Sequence, residues 1–138
     1  LYPEGHVSIA TDLNNLAGLL LARHEPAAAE PLYREAAALY ERTQGAGFWR
    51  TGIARTGLGR SLTALGRFAA AEPELLAGER ILATAQGVPA GRHAQSTAAL
   101  AALYEAWERA EPGEGHAAQA AKWRDQGDPV AASAPAAR

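Results

Sequence analysis

Residues Ala10 to Gly45 read ATDLNNLAGLLLARHEPAAAEPLYREAAALYERTQG, and the periodicity inside this stretch decides the fold. Leu13, Leu16, Ala17 and Leu20 fall at i, i+3, i+4 and i+7, an apolar stripe along one helix. A second stripe follows the polar break Arg23-His24-Glu25-Pro26: Ala29, Leu32, Tyr33, Ala36, Leu39 and Tyr40. The unit is two amphipathic helices joined by a short turn. It recurs. Leu16-Ala17 returns as Leu58-Gly59 and again as Leu100-Ala101, at a constant spacing of 42 residues. Ala29-Glu30-Pro31 returns as Ala71-Glu72-Pro73 at the same spacing. A fixed period of this size is the signature of a solenoid, in which each helical pair buries its apolar face against its neighbours.

Outward from this unit, the chain divides into a turn-rich linker over residues 1–9, repeat 1 over 10–45, repeat 2 over 50–86, a degenerate terminal repeat 3 over 93–124, and a Pro/Ala/Ser-rich tail over 125–138 with no periodic apolar face, expected to be disordered. The spacing predicts helices over about 8–23, 26–42, 50–65, 68–85, 93–109 and 116–126. Ser8 or Thr11 is expected to cap the first. Pro26 suits a first helical position, where its missing N–H removes nothing. Pro31 and Pro73 sit in the early turns of the second and fourth helices, where a slight bend is the expected cost. Gly45 is placed to end the second helix at positive φ. Ile53, Leu58, Leu62 and Leu65 are assigned inward on the third helix, and Phe68, Ala71, Leu75, Leu76 and Leu82 on the fourth. Thr97, Leu100, Ala101, Tyr104 and Trp107 follow on the fifth, then Ala120 and Trp123 on the sixth. The turn Ala110 to Gly115 is a longer one, and relative to repeat 2 an insertion of about six residues is expected there from where the Ala pattern resumes. On this register Leu16→Asp and Ala29→Leu are expected to unfold the first repeat.

Composition supports an all-α class and excludes several functions. The chain has 138 residues, is rich in Ala and Leu, and has few aromatics. A net charge of −2 gives no electrostatic case for nucleic acid or an anionic membrane surface. No Cys is present, hence no disulfide, thiolate metal site or cysteine nucleophile. No apolar run is long enough to span a bilayer and no leader is visible, so the expected location is cytoplasmic. The chain opens on Leu1 and contains no Met, which points to a fragment or processed piece.

The positions Leu16-Ala17, Leu20, Ala29, Tyr33 and Ala36, repeated as Leu58-Gly59, Leu62, Ala71, Leu75 and Gly78, resemble the tetratricopeptide repeat. The 42-residue period, with LNNLAGLL and AAEPLYREA, is similar to the kinesin-light-chain subtype, whose unit exceeds the usual length of about 34 residues. The Gly-x-x-His-Pro link of that subtype is degenerate here: Val7 follows His6 where Pro is expected, and Phe48 and Ala90 fill the next two links. The C-terminal stretch ALAALYEAWERAEPGEGHAAQAAKWR resembles the last repeat of bacterial multidomain proteins, some of which carry a protein kinase domain.

The resemblance implies a right-handed α-solenoid of about three stacked helix–turn–helix units, with the first helix of each unit lining a concave face that holds a peptide. That wall is expected to be Thr11, Asn14, Asn15, Gly18 and Leu21, then Ile53, Thr56, Gly57, Arg60 and Thr63, then Gln95, Ala98, Ala99, Ala102 and Glu105. The candidate peptide-binding residues are Asn14, Asn15, Thr56 and Arg60. Asn15 carries an amide that can donate to and accept from a peptide unit at once. Arg60 can pair with a carboxylate. A two-Lys carboxylate clamp is absent, since Lys122 is the only Lys. The expected function is a protein–protein interaction scaffold. The alternative is a structural spacer or self-association segment, with end surfaces around Trp107 and Trp123 stacking on another copy. No catalytic set stands out: Glu72 and Glu74 belong to a helix start rather than to an acid–base pair. His6, His24, His93 and His116 lack metal-ligand spacing. No catalytic residue, metal or cofactor is expected.

Overall fold

The computed structural model describes residues 3–127. Six helices follow one another: α1 (Pro3–Ala22), α2 (Pro26–Gln44), α3 (Trp49–Ala64), α4 (Phe68–Thr84), α5 (Arg92–Ala110) and α6 (His116–Gly127). Among the described residues there is no strand. No helix is long and apolar enough to cross a membrane. Each helix packs on the next, and α1 also touches α3 as α3 touches α5. Among the described residues, no comparable contact joins α2 to α4 or α4 to α6. Helices that touch their counterparts form the shorter, inner ring of a curved stack. The odd-numbered helices are therefore the concave layer and the even-numbered ones the outer layer.

The turns repeat as the helices do. His24 and Gly66, 42 residues apart, both adopt positive φ, 61° and 75°. In each, the next residue's N–H reaches back five residues to close the helix: Glu25 to Leu20 at 2.8 Å, Arg67 to Leu62 at 2.9 Å. These bonds satisfy carbonyls that a helix end leaves open, in the manner of a Schellman turn. Gly45 ends α2 at φ 93°, its N–H bonded to Glu41 O at 3.0 Å. Pro31 and Pro73 lie inside continuous helices.

Two sequence expectations fail at the N-terminal end. The linker expected over 1–9 is helical from Pro3, a residue suited to a first helical position. Thr11 does not cap: its hydroxyl donates to Val7 O at 2.9 Å, leaving its oxygen to accept from the Tyr40 hydroxyl at 2.8 Å, a tie from α1 to α2. At the other end, residues 125–127 complete α6, and the rest of the expected tail lies outside the described residues.

The main core runs the length of the stack through Ala17, Ala29, Tyr33, Leu58, Leu62, Ala71, Leu75, Leu100, Leu103 and Trp123. A second cluster under α1 and α2 holds Ala10, Ala36, Ala37, Leu39, Tyr40 and Ala54. Repeat-equivalent residues share burial: Ala29 and Ala71 are both 0% exposed. Leu16 breaks the pattern. It is 48% exposed, whereas Leu58 and Leu100 at the same register are 2% and 0%. Each of those two leucines sits on a helix flanked by the preceding unit, while the same face of α1 has no neighbour among the described residues. Leu65, also assigned inward, is half exposed at the end of α3.

The central helix α3 is buried on nearly all sides, through Thr51, Gly52, Ala54, Thr56, Gly57, Leu58, Gly59, Ser61 and Leu62. Three of its hydroxyls are satisfied by its own backbone: Thr56 to Gly52 O at 2.8 Å, Ser61 to Gly57 O at 3.0 Å, Thr63 to Gly59 O at 2.8 Å; the fourth, Thr51, donates to Gly45 O ahead of the helix at 3.4 Å. Such back-bonding removes the penalty of burying a lone hydroxyl. Its glycines let neighbours close in. A Cβ at Gly59 would lie 2.4 Å from Leu75 Cγ and 3.3 Å from Leu75 N.

Three outcomes follow from this packing. Leu58→Asp buries an unpaired charge and should cost about 4 kcal/mol or more, enough to abolish the cooperative urea transition. Leu16→Asp, on the exposed face, should shift stability by no more than about 0.5 kcal/mol, reversing the expectation from periodicity alone. Equal losses in both variants would refute the register. Gly59→Ala gains about 1 kcal/mol of helix propensity but overpacks Leu75 by about 1–3 kcal/mol. It should lower the thermal midpoint, and a raised midpoint would show that α3 and α4 can separate at little cost.

Candidate functional site

The concave layer encloses a groove of about 820 Å³ contributed by all three odd-numbered helices. Asn14, Asn15, Gly18 and Leu19 come from α1; Ile53, Thr56, Gly57 and Arg60 from α3; Arg92, Gln95, Ala98, Ala99 and Ala102 from α5. The four candidate residues Asn14, Asn15, Thr56 and Arg60 therefore line one space. They come from different turns of two helices, and the 42-residue stacking brings them together.

Four residues expected on this wall lie elsewhere. Thr11 is engaged with Tyr40. Leu21 packs against the main core. Thr63 folds back on Gly59 O. Glu105 pairs with Arg124 and lines a smaller pocket beside α6.

Four lining residues were not expected: Leu19, Tyr33, Leu82 and Arg92. Tyr33 belongs to the outer helix α2, yet its ring passes between α1 and α3. A Cβ at Gly57 would stand 2.2 Å from Tyr33 Cε1, and one at Gly18 would stand 3.5 Å from its hydroxyl oxygen. The missing side chains open the slot that the phenol fills. Leu82 of α4 reaches the groove past Gly52, whose Cβ would lie 3.0 Å from Leu82 Cγ. The legible signal is a glycine on an inner helix facing a bulky residue on an outer one.

The polar groups divide into spent and available ones. Thr56 is buried and its hydroxyl is already bonded to Gly52 O, so it contributes shape rather than a free donor. The side-chain oxygen of Asn14 is buried and has no hydrogen-bond partner, a condition that costs free energy. Asn15 is exposed beside it. Arg60 and Arg92 are exposed and pair with no carboxylate among the described residues; Arg92 reaches Gln95 Oε1 at 3.2 Å. Burial pushes the Tyr33 hydroxyl pKa up, and the guanidinium groups of Arg60 and Arg92 pull it partly back. Both cations thus act on the groove floor.

Away from the groove, charges serve the frame. Arg55 of α3 bonds Glu41 of α2 at 2.8 Å and Glu74 of α4 at 2.9 Å. The Tyr104 hydroxyl donates to Glu72 at 2.6 Å, which with burial holds its pKa well above the ordinary range. Glu72 and Glu74 are thus structural links. Trp107 stacks on His116 at 4.1 Å and on Phe68 at 5.9 Å, and its indole N–H donates to Glu111 at 3.0 Å. Trp123 is buried and Trp107 is half-buried. Among the described residues, no group of three or more His, Asp or Glu gathers in metal-binding geometry.

Residues 10–48 match the family model described as tetratricopeptide repeat. No curated protein matches the chain. The matched residues span most of α1, all of α2 and the link into α3, the unit whose pattern returns at 42-residue spacing. Residues 10–48 are a tetratricopeptide repeat, and the chain is a helical-repeat solenoid of that type.

Proposed function

We propose that this chain is a protein-interaction module that holds an extended peptide segment of a partner in the groove between α1, α3 and α5, and that it performs no chemistry of its own. Tetratricopeptide repeats in general mediate protein–protein interaction. The observation that carries the reading here is the groove to which α1, α3 and α5 all contribute, with the exposed Asn15 amide on its wall. A peptide backbone presents N–H and C=O groups whatever its sequence, and an exposed amide, which donates and accepts at once, matches that supply. Leu19, Ile53 and Leu82 offer apolar contact between the polar points. The small residues Ala98, Ala99 and Ala102 leave the opposite wall open.

A second reading has one observation in its favour. Ile9, Leu16 and Leu19 on α1 are 51%, 48% and 64% exposed, a face on which a second copy or another domain could rest. On that reading the chain is a spacer or self-association segment of a larger regulatory protein.

Display selection from a randomised 12-residue peptide library tests the first reading. Wild type should enrich binders. Asn15→Ala should weaken them about fivefold, the loss of roughly one net hydrogen bond. Ala98→Trp, which fills the groove from an exposed position, should abolish binding while leaving helicity unchanged. Binders indifferent to both substitutions would move the site off the groove. Sedimentation that shows a concentration-dependent dimer, lost in Leu19→Asp, with no peptide enriched, would favour the second reading.

A further inference from the structure

We infer that the groove selects acidic segments: its ligand is a peptide bearing Asp or Glu side chains, gripped by Arg60 and Arg92. This rests on the groove being a peptide site and adds the class of peptide.

The groove reverses the sign of the chain's net charge. The chain as a whole carries 15 acidic and 13 basic residues, a net charge of −2. The groove lining contains two arginines and no Asp or Glu. A net-negative protein has thus placed a purely cationic set of charged side chains in this groove. Concave walls of low dielectric concentrate such a field instead of letting it spread into solvent.

The second step is where the carboxylates went. Several arginines that have a carboxylate in reach are paired with it: Arg34 with Glu30, Arg55 with Glu41 and Glu74, Arg124 with Glu105. Glu79 meets His93, and Glu72 meets Tyr104. None of these acids reaches Arg60 or Arg92. No carboxylate of the frame would have to be displaced for a ligand carboxylate to bind, and the guanidinium fork suits a carboxylate in a bidentate pair.

The third step is placement. Arg60 lies near the C-terminal end of α3, and Arg92 is the first residue of α5. They approach the groove from different helices, and the Tyr33 hydroxyl and the apolar side chains Ile53 and Leu82 line the same space. The arrangement fits a segment with acidic residues at two points and an apolar residue among them. The exposed Asn15 amide supplies an acceptor for a ligand backbone N–H. A basic segment would find two like charges and no partner.

The same 12-residue library decides the point. Peptides selected by wild type should be enriched at least twofold in Asp and Glu over the input and depleted in Lys and Arg. For one selected peptide, Arg60→Gln with Arg92→Gln should raise Kd at least tenfold. For its isostere with Asn and Gln in place of Asp and Glu, the change should be under twofold. Raising NaCl from 50 to 500 mM should weaken wild type and leave the double variant nearly unaffected. Arg60→Glu with Arg92→Glu should invert the selection toward Lys and Arg. Both arginines are exposed, so circular dichroism should show the fold unchanged. Neutral or basic peptides that Ala98→Trp abolishes would overturn the acidic preference and leave the groove reading intact. Acidic peptides bound equally by wild type and the double Gln variant would overturn the assignment of the two arginines. An absence of any peptide sensitive to Ala98→Trp would overturn the groove reading and this one with it.

Discussion

The close approach of side chains to the glycines of α3 is the constraint on which the rest depends. Tyr33 from α2 lies against Gly57, and Leu75 from α4 lies against Gly59, at separations where any Cβ would collide. One helix is thus gripped from both sides of the outer layer. Glycine inside a helix costs about 1 kcal/mol relative to alanine, and α3 carries Gly52, Gly57 and Gly59. Fully burying a side chain the size of leucine returns about 1.5–3 kcal/mol, and Leu75 is 0% exposed. The exchange favours the glycines as long as both outer helices stay docked. In a solenoid, where each pair leans on its neighbours, a central element held this way couples the units to one another.

The same approach builds the groove. If Gly57 had a side chain, Tyr33 would be forced back into the outer layer and its hydroxyl would leave the concave face. The hydroxyls of Thr56, Ser61 and Thr63 act in concert with this. Turned inward onto their own helix, they let α3 be buried without presenting unsatisfied donors to its neighbours. The frame therefore consumes its own polarity, and what remains unpaired in the groove is confined to α1, to Arg60 and to the start of α5.

Much of this was legible in the sequence, and the parts that were not have physical reasons. Helix existence followed from apolar periodicity, and the boundaries of α2 to α6 agree with the expected ones to within two residues. Asn14, Asn15, Thr56 and Arg60 could be assigned to one wall because the resemblance to tetratricopeptide repeats implies that the first helix of each unit lines it, and a constant repeat length keeps equivalent positions on one face. Leu16 was misjudged because periodicity marks a face as apolar without saying whether a neighbour covers it. Arg92 was invisible because it sits in QGVPAGR, a segment with no period; Gly91 at φ 86° allows α5 to begin there, at the groove edge. Tyr33 was assigned to the core and is core. That its hydroxyl also reaches the opposite surface depends on Gly57 and Gly18, two positions whose meaning lies in what they lack.

Folding and recognition are separable in this molecule. Residues that hold the stack together, such as Leu58, Leu62, Leu75 and Leu100, are buried between helices, and substitutions there act on stability. Asn15, Arg60, Arg92 and Ala98 are exposed, make few internal contacts of consequence, and sit on rigid helices rather than loops. Charge can therefore be exchanged at the groove surface at little cost to the fold, and a repeat frame of this kind can acquire a new ligand preference through a few exposed positions. Tyr33 is the exception that joins the two. It is 5% exposed and locked by packing, yet it forms the floor beneath both arginines. Trimming it to Phe would leave the packing nearly intact and remove the one groove hydroxyl whose position is fixed by the core. That substitution reads recognition alone, whereas Tyr33→Ala would open a cavity between α1 and α3 and confound recognition with stability.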